Sequence, residues 1–291
     1  MPRLSTNILD ARRAVALETT LLAHGVPAPE GARLATELRE TVRQAGAVPA
    51  VVGVLAGRAV VGMTPAQLDE LLAAPSLPKL NASNLGLALA RGGSGATTVS
   101  ATMELAAAAG VSLFATGGLG GVHPGLGERL DVSSDLLALA RFPVAVVCSG
   151  VKSLLDVESS REALETLGVP VVGFRTEAFP AFYLAESAAG VDATFDDEAA
   201  LIRFVDFELA RTGRGVVIAQ PAPNPIAPDQ WRAWLEQARE RVEAAGARGR
   251  DVTPRTLAAL HEISAGATLR VNLELVRTNA ALAGRLAALR P

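Results

Sequence analysis

Lys152 is the residue of this sequence whose surroundings most favour covalent chemistry. It lies in Cys148-Ser149-Gly150-Val151-Lys152-Ser153-Leu154-Leu155-Asp156, after an apolar run, Phe142 to Val147, that predicts a buried strand. Ser153 and Asp156 have the spacing of an N-terminal capping box, so we expect a helix to begin here. A lysine between a central strand and a positive helix end is disfavoured as an ammonium, and such edges bind ligands in open α/β sheets. A neutral lysine can form a Schiff base with a sugar aldehyde, although a surface lysine on a first helical turn fits the same spacing.

Glu18 is the second candidate, because it closes the apolar stretch Ala14 to Leu17. A carboxylate within an apolar run is either paired or has a raised pKa, as a general acid needs. Lys79, in Pro78-Lys79-Leu80-Asn81, is a second lysine outside any obvious exposed face.

A glycine-rich segment, Gly117-Gly118-Leu119-Gly120-Gly121-Val122-His123-Pro124-Gly125, follows the predicted strand Val111 to Ala115. Glycine at this density lets backbone N–H groups approach an anion or a ring closely, so we expect a binding site around His123. A flexible loop is the alternative.

The segment Leu130 to Leu136 predicts a helix start. Ser133 or Ser134 can cap the helix, and its free N–H groups would suit a phosphate. Asp131 can offer a hard oxygen ligand to a divalent cation through water, although simple capping by Asp and Ser explains the same pattern. Gly95 to Met103 supplies further hydroxyl groups at a helix start. His24, His261 and Cys148 are interpreted as structural.

Composition excludes several classes of protein. The 291 residues are 49% hydrophobic and 20% charged, with a formal net charge of −3 and no long basic run, which argues against nucleic acid or an anionic membrane as the main partner. One cysteine allows no intrachain disulfide and suits a reducing cytoplasm. The N-terminus lacks an apolar signal core, and we expect no transmembrane segment.

Short apolar runs alternate with amphipathic stretches along the whole chain. We expect strands at Ala14 to Leu17, Ala47 to Val54, Arg58 to Val61, Val111 to Ala115, Val144 to Val147, Val169 to Phe174 and Gly215 to Ala219. We expect helices at Pro29 to Ala45, Pro65 to Ala73, Ser83 to Ala90, Thr98 to Ala109, Ser133 to Ala140, Ser153 to Leu167, Glu198 to Arg211, Pro228 to Glu243, Thr253 to Ser264 and Thr268 to Ala288. This alternation predicts an α/β fold: a single domain over residues 1–291, with a mostly parallel central sheet, helices on both faces and a helical C-terminal third.

The motifs together resemble the pseudouridine-5′-phosphate glycosidase family, also called indigoidine synthase A-like. The matching segments occur in family order: A-L-E-T-T-L-L-A-H-G, G-A-T-T-V-S-A-T-M, F-A-T-G-G-L-G-G-V-H, L-D-V-S-S-D-L, V-V-C-S-G-V-K-S-L-L-D, L-E-T-L-G-V-P-V-V-G-F and P-A-F-Y, with T-P and L-V-R-T-N-A in the tail. The resemblance covers nearly the whole chain.

The resemblance implies reversible cleavage of the C–C glycosidic bond of pseudouridine 5′-phosphate to uracil and ribose 5-phosphate, with one divalent metal per subunit, usually Mn²⁺, in a cytoplasmic homotrimer. It implies that Lys152 is the Schiff-base lysine, Glu18 the proton donor and Asp131 the metal-binding carboxylate. Lys79 would bind substrate and lower the pKa of Lys152 by charge repulsion. The remaining implied substrate contacts are Val99, His123, Ser133, Ser134, Asp135 and Asn279.

Three segments depart from the family pattern. Leu80-Asn81-Ala82-Ser83-Asn84 follows Lys79 where many members carry a basic–acidic cluster, Gln220-Pro221-Ala222-Pro223 replaces N-P-I-P, and Thr278-Asn279 replaces paired asparagines. These departures leave the lysine, glutamate and aspartate in place but bear on base recognition. Two alternatives therefore stay open: a C-glycosynthase joining ribose 5-phosphate to an aromatic acceptor, and a catalytically silent sugar-phosphate-binding protein.

Overall fold

A computed structural model describes residues 4–27, 30–125, 127, 130–246 and 252–291, with the backbone alone for 252–254. The strands of the described chain are β1 to β11 in order: Leu4–Thr6, Ala14–Glu18, Val48–Leu55, Arg58–Val61, Lys79–Leu80, Gly95–Thr97, Leu113–Ala115, Ala145–Cys148, Val171–Phe174, Ala193–Phe195 and Val216–Ala219. The helices are α1 to α11: Thr20–His24, Glu30–Gln44, Pro65–Leu72, Leu85–Ala90, Val99–Ala108, Ser134–Arg141, Val157–Thr166, Glu198–Thr212, Pro228–Ala244, Val252–Ile263 and Ala267–Ala288.

The strands form one mostly parallel sheet in the order β1-β4-β3-β2-β7-β8-β11-β9-β10, with β6 pairing β3 and β5. The antiparallel pairs in the described chain are β3 with β4 and β3 with β6. After β2 the chain continues to β3 on one side, whereas β7 lies on the other side of β2. The chain therefore changes direction across the sheet between β2 and β7, which makes the crevice at their carboxyl ends a topological switch point.

Strand β2 shows how the sheet divides the core. Val15 and Leu17 pack into one apolar cluster, and Ala14 and Ala16 into the other. This follows from the two-residue period of a strand, and because both faces are covered, every residue of β2 is buried. Glu18, the last residue of β2, is therefore carried into the interior.

Helices cover both faces of the sheet. On one face, α11 packs against α2, α8, β2, β7 and β8. On the other face, α5 contacts α6, β2 and β3. The predicted single-domain α/β fold with a helical C-terminal third is confirmed, since α9, α10 and α11 form its end.

One predicted helix start was wrong and four short strands were not predicted, each for an identifiable reason. The helix expected from Ser153 begins at Val157, and its N-cap is Asp156, whose side chain accepts a hydrogen bond from the Ser159 backbone N–H at 2.9 Å. The strands β1, β5, β6 and β10 were not predicted, because segments of two or three residues are too short to show periodicity. The predicted helix start at Pro29 lies outside the described residues.

Candidate active site at the carboxyl edge of the sheet

Three neighbouring strands deliver chemically able groups to one edge. Glu18 ends β2, Thr116 follows the end of β7, and Lys152 lies four residues beyond the end of β8. Because β2, β7 and β8 are parallel neighbours, their carboxyl ends meet at the same edge of the sheet. Parallel pairing thus assembles the site from distant parts of the chain.

Glu18 is a buried acid. Its residue is 9% exposed, and burial raises the pKa of the carboxyl group to about 7. The positive charge of Lys152 and a hydrogen bond from Thr116 oppose that rise, Asp135 adds to it, and Lys79 weakly opposes it. A carboxyl group with this pKa can exchange a proton near neutral pH, as a general acid must.

Lys152 and Lys79 lie close enough for their charges to act on each other and on Glu18. Partial withdrawal from water and then the positive charge of Lys152 lower the pKa of Lys79, although its side chain keeps solvent exposure. Lys79 also lowers the pKa of His24, after burial. Strands β2 and β5 and the loop after β8 therefore bring two lysines and one acid together.

Lysine usage is a signal that the sequence analysis missed. Lys152 and Lys79 are the only lysines in the chain, and the other 25 of its 27 basic residues are arginine. An amine can deprotonate and attack a carbonyl group, whereas a guanidinium ion cannot. Both lysines of the sequence thus lie in the candidate site, where an amine could act as a nucleophile.

The segment before Lys152 is pinned by the glycine-rich loop rather than by a helix. The Lys152 N–H donates to the Leu119 carbonyl at 3.1 Å, and the Leu119 N–H donates to the Gly150 carbonyl at 2.9 Å. Gly150 has φ +75°, and a Cβ there would lie 1.8 Å from the Pro180 carbonyl oxygen. Only glycine fits this turn, which directs the following lysine.

Two glycines of the loop that was expected to bind an anion are required by packing. A Cβ on Gly120 would meet Ser133 Oγ at 2.3 Å, and one on Gly121 would meet Ser160 Oγ at 2.2 Å. The Gly120 N–H donates to the Asp135 carboxylate at 2.9 Å, so it is already used within the protein. The glycines let α6 and α7 approach the loop.

Asp135 joins two helix starts to that loop. The residue is 5% exposed, and its other carboxylate oxygen accepts the Ser100 N–H at 3.0 Å. Ser133 is the N-cap of α6, while the Ser134 hydroxyl bonds the Ser100 hydroxyl at 2.9 Å. Asp135 thus holds two backbone segments and lies near enough to Glu18 for its charge to act on it. The Ser133 hydroxyl accepts the Asp135 N–H at 3.2 Å.

Val99 begins α5 and is 2% exposed in the apolar core. Its side chain therefore packs inward, and a substrate contact at this position would have to use its backbone N–H.

Asp131 and His123 lie together at the rim of the site. The His123 N–H donates to the Asp131 carbonyl at 2.9 Å, and the Asp131 side chain is exposed. Within the part of the chain that the structure describes, no three His, Cys, Asp or Glu side chains are placed to hold a metal ion. These residues fit a hydrated Mn²⁺ held by one carboxylate, water and a substrate phosphate, and they do not fit an all-protein cage.

The side chains of Asn279 and Gln220 are hydrogen-bonded to each other. The Gln220 amide donates to the Asn279 side-chain oxygen at 3.2 Å, and the Asn279 amide donates to the Thr116 carbonyl at 2.9 Å and to the Ser149 hydroxyl at 3.2 Å. Asn279 is 0% exposed. These positions favour a scaffold over the direct base contact that the motifs predicted for Asn279. The Thr278 hydroxyl donates back to the Glu274 carbonyl at 2.9 Å within α11.

Phe182, Asn272 and Thr116 are site neighbours that the sequence did not reveal. The Phe182 backbone has φ +55°, uncommon for a bulky residue, and its ring lies against Gly117 and Gly118. Asn272 is 8% exposed, its side-chain oxygen also faces Gly117, and that oxygen has no hydrogen-bond partner among the described residues.

The comparisons identify the family. A family model described as "Indigoidine synthase A like protein" matches residues 4–289. A pseudouridine-5′-phosphate glycosidase from Hahella chejuensis is 43% identical over 292 residues, covering 99% of this chain and 96% of the relative. One from Salinispora tropica is 43% identical over 280 residues, covering 95% of this chain and 86% of the relative.

Two solved structures are also similar. An indigoidine synthase A-like protein from Thermotoga maritima has a TM-score of 0.88 at 34% identity, covering 98% of this chain and 95% of that one. The prealnumycin C-glycosynthase AlnA, in complex with ribulose 5-phosphate, has a TM-score of 0.90 at 33% identity, covering 98% and 96%. Fold and site thus define an α/β enzyme with a lysine–carboxyl centre at a topological switch point. The chain belongs to the indigoidine synthase A-like family, which includes the pseudouridine-5′-phosphate glycosidases.

None of the helices in the described ranges combines the length and the apolar character that a bilayer crossing requires.

Proposed function

We propose that this enzyme cleaves the C–C glycosidic bond of pseudouridine 5′-phosphate to uracil and ribose 5-phosphate, reversibly, through a Schiff base on Lys152. The observation that carries the proposal is the meeting of a buried acid, Glu18, whose pKa is about 7, with both lysines of the chain at one edge. The 43% identity to glycosidases over nearly the whole chain supports it.

The chemistry assigns a role to each group. Neutral Lys152 attacks C1 of the ribose, the bond from C1 to the ring oxygen breaks, and Glu18 supplies the proton to that oxygen. The bound lysine nitrogen next loses a proton to the Glu18 carboxylate, which restores its lone pair. That lone pair forms the C1=N bond while the C1–uracil bond breaks, and the uracil carbon takes up the proton from Glu18. Water hydrolyses the imine, which returns the lysine and the ribose aldehyde. A C–C glycoside has no leaving oxygen to protonate, so this electron sink does what a pair of carboxylates alone cannot.

The substrate would be held by the groups around these two. Lys79 and the hydroxyl groups of Ser133 and Ser134 would bind the phosphate, with His123 as a further polar group. A divalent cation such as Mn²⁺, one per subunit and held by Asp131 through water, would neutralise phosphate charge. In this arrangement Asp131→Ala raises the Mn²⁺ concentration needed for half-maximal activity and the KM for the substrate. If the variant keeps the wild-type Mn²⁺ requirement, Asp131 is not the metal carboxylate.

Assembly into a homotrimer is part of the same proposal. Leu130, Val132 and Leu137 are large apolar side chains that stay exposed in the single chain, in one stretch beside the site. Light scattering during size-exclusion chromatography should give a mass three times that of one chain. A monomer at micromolar concentration would contradict the proposed trimer but not the proposed reaction.

The test of the reaction uses the scarcity of lysine. Wild-type protein with pseudouridine 5′-phosphate and Mn²⁺ should release uracil. Borohydride with ribose 5-phosphate should add one reduced sugar phosphate, located on Lys152 by peptide mass, and Lys79→Arg provides the matched control because it keeps the positive charge. Labelling of Lys79 in place of Lys152 would identify Lys79 as the nucleophile and contradict the proposal.

One observation favours a second candidate. AlnA, a C-glycosynthase, matches this fold as closely as the Thermotoga structure does. Pseudouridine 5′-phosphate and aromatic C-ribosides should therefore be compared at equal concentration. Cleavage of the aromatic compounds alone would replace the first function with the second, with Lys152 and Glu18 in the same roles.

A further inference from the structure

Thr116 is a buried hydroxyl group placed directly on the acid. It follows β7 at the switch point, is 1% exposed, and its hydroxyl donates a hydrogen bond to Glu18 Oε1. A hydroxyl rotor can turn its hydrogen to suit a neighbour. Here Oε1 of Glu18 accepts this hydrogen bond, and no hydrogen bond to Oε2 is found among the described residues.

The backbone of Thr116 is fixed from two sides. Its N–H donates to the Val147 carbonyl of β8 at 3.1 Å, and its carbonyl accepts the Asn279 amide of α11 at 2.9 Å. Asn279 is itself held by Gln220 and Ser149. Strand β8 and helix α11 thus hold the main chain in the place from which the hydroxyl group reaches Glu18.

We propose that Thr116 is the positioning residue of the general acid: its hydroxyl occupies Glu18 Oε1 and so confines the transferable proton to Oε2. The role of Glu18 as general acid rests on the proposed function, but the hydrogen bond between Thr116 and Glu18 can be tested without turnover. Asn279, with Gln220 behind it, is the brace of this arrangement and not a contact to the base.

The electrostatic setting makes the consequence measurable. The charged groups that act on Glu18 are Lys152 from the loop after β8, Lys79 from β5 and Asp135 from α6. A hydrogen bond donated to a carboxylate stabilises the charged form, so the Thr116 bond lowers the pKa that burial has raised. Removing the hydroxyl must then raise the pKa further.

The experiment compares Thr116→Val, Thr116→Ser and the matched control Thr102→Val. Thr102 is another fully buried threonine, and its hydroxyl donates to Thr97 instead of a carboxylate. Infrared titration, with the Glu18→Gln spectrum subtracted, follows the Glu18 carboxyl group directly. Should Thr116→Val not fold, Thr116→Ala removes the same hydroxyl.

Thr116→Val should lower the acid dissociation constant of Glu18 roughly tenfold. It should also lower kcat by about tenfold to 100-fold with little change in KM. Thr116→Ser should restore both, and Thr102→Val should alter neither. The proposal would be overturned if the acid dissociation constant of Glu18 in Thr116→Val stayed within about threefold of the wild-type value. A Thr116→Ser variant that behaves like Thr116→Val would also overturn it. If wild type does not cleave pseudouridine 5′-phosphate, the titration still decides the role of Thr116, so the two failures remain distinct.

Discussion

Glu18 is a carboxyl group that the fold keeps short of water, and this has a cost in stability. In the unfolded chain its pKa is near 4.5, and in the folded protein it is about 7. Between these values the folded state binds more protons than the unfolded state, so stability falls as pH rises through that window. Above pH 7 the full penalty remains, at most about 3 kcal/mol.

Glu18→Gln should therefore stabilise the protein at pH 8 relative to wild type and gain much less at pH 4.5. The neutral amide has no ionised form to desolvate, and it can still accept the Thr116 hydrogen bond. Denaturant unfolding at both pH values measures the difference. Glu40→Gln, an exposed position on α2, is the control and should show no pH-dependent gain. An equal effect at both pH values would mean that Glu18 is not the group with the raised pKa.

At the scale of elements, the turn between β8 and Lys152 depends on one glycine. Gly150 and Gly213 both have positive φ, at +75° and +67°, but a Cβ on Gly213 meets nothing within 4 Å. Gly213→Ala should cost about 1 kcal/mol, the price of left-handed backbone alone. Gly150→Ala should cost at least about 3 kcal/mol, because the Pro180 carbonyl must also move. Urea unfolding of the two variants compares them, and equal losses would show that the Pro180 contact relaxes freely.

Sequence reasoning succeeded where the signal is local. The apolar run before Glu18 predicted a buried strand because both faces of β2 are covered, and Ser133 capped α6 because the cap bond lies within two residues. It failed at Ser153, whose hydroxyl donates to the Ala181 carbonyl and accepts the Tyr183 N–H at 3.1 Å. Those partners lie about thirty residues away, so the capping pattern was satisfied by tertiary contacts instead.

The candidate site was predictable to the same extent. Lys152, Glu18 and Lys79 could be proposed from motifs, and the structure brings them together. Thr116 lies in the motif F-A-T-G-G-L-G-G-V-H, but its role could not be assigned from the sequence, because its partner is 98 residues distant. Asn279 was assigned to the base from its motif, whereas its bonds to Thr116 and Gln220 exist only once α11 crosses the sheet.

At the scale of the whole molecule, the chain end closes the opposite edge of the sheet. The Arg290 side chain is 3% exposed, and it contacts Asp206 of α8, the Arg12 carbonyl at 3.2 Å and the Ser112 hydroxyl at 3.0 Å. Both Arg12 and Ser112 lie just before the amino ends of β2 and β7. One arginine thus joins the last residues to the start of the strands that carry the site.

Removing the carboxylate of Asp206 should lower the stability of the protein more than replacing Arg290. Asp206→Ala leaves a buried guanidinium without its counter-charge and should cost about 2 kcal/mol, less than for a fully buried pair because Asp206 is 42% exposed. Arg290→Met keeps apolar volume and should cost about 1 kcal/mol, and the double variant should be no worse than Asp206→Ala. Asp229→Ala, in an exposed pair with Arg232, should change stability by less than about 0.5 kcal/mol. Additive losses in the double variant would contradict the pairing.

The position of α11 has a consequence for the order of folding. This helix, the last element of the chain, packs on β2, β7 and β8, and α2 also rests on it. Until α11 has docked, those strands lack their cover and Thr116 lacks its brace, so a collapsed chain cannot complete its catalytic edge. Pairing β2 with β7 also closes a loop of nearly a hundred residues, which slows folding. The docking of α11 should therefore be a late step of folding, and a chain that has collapsed without it leaves apolar strand surface uncovered and is prone to aggregation.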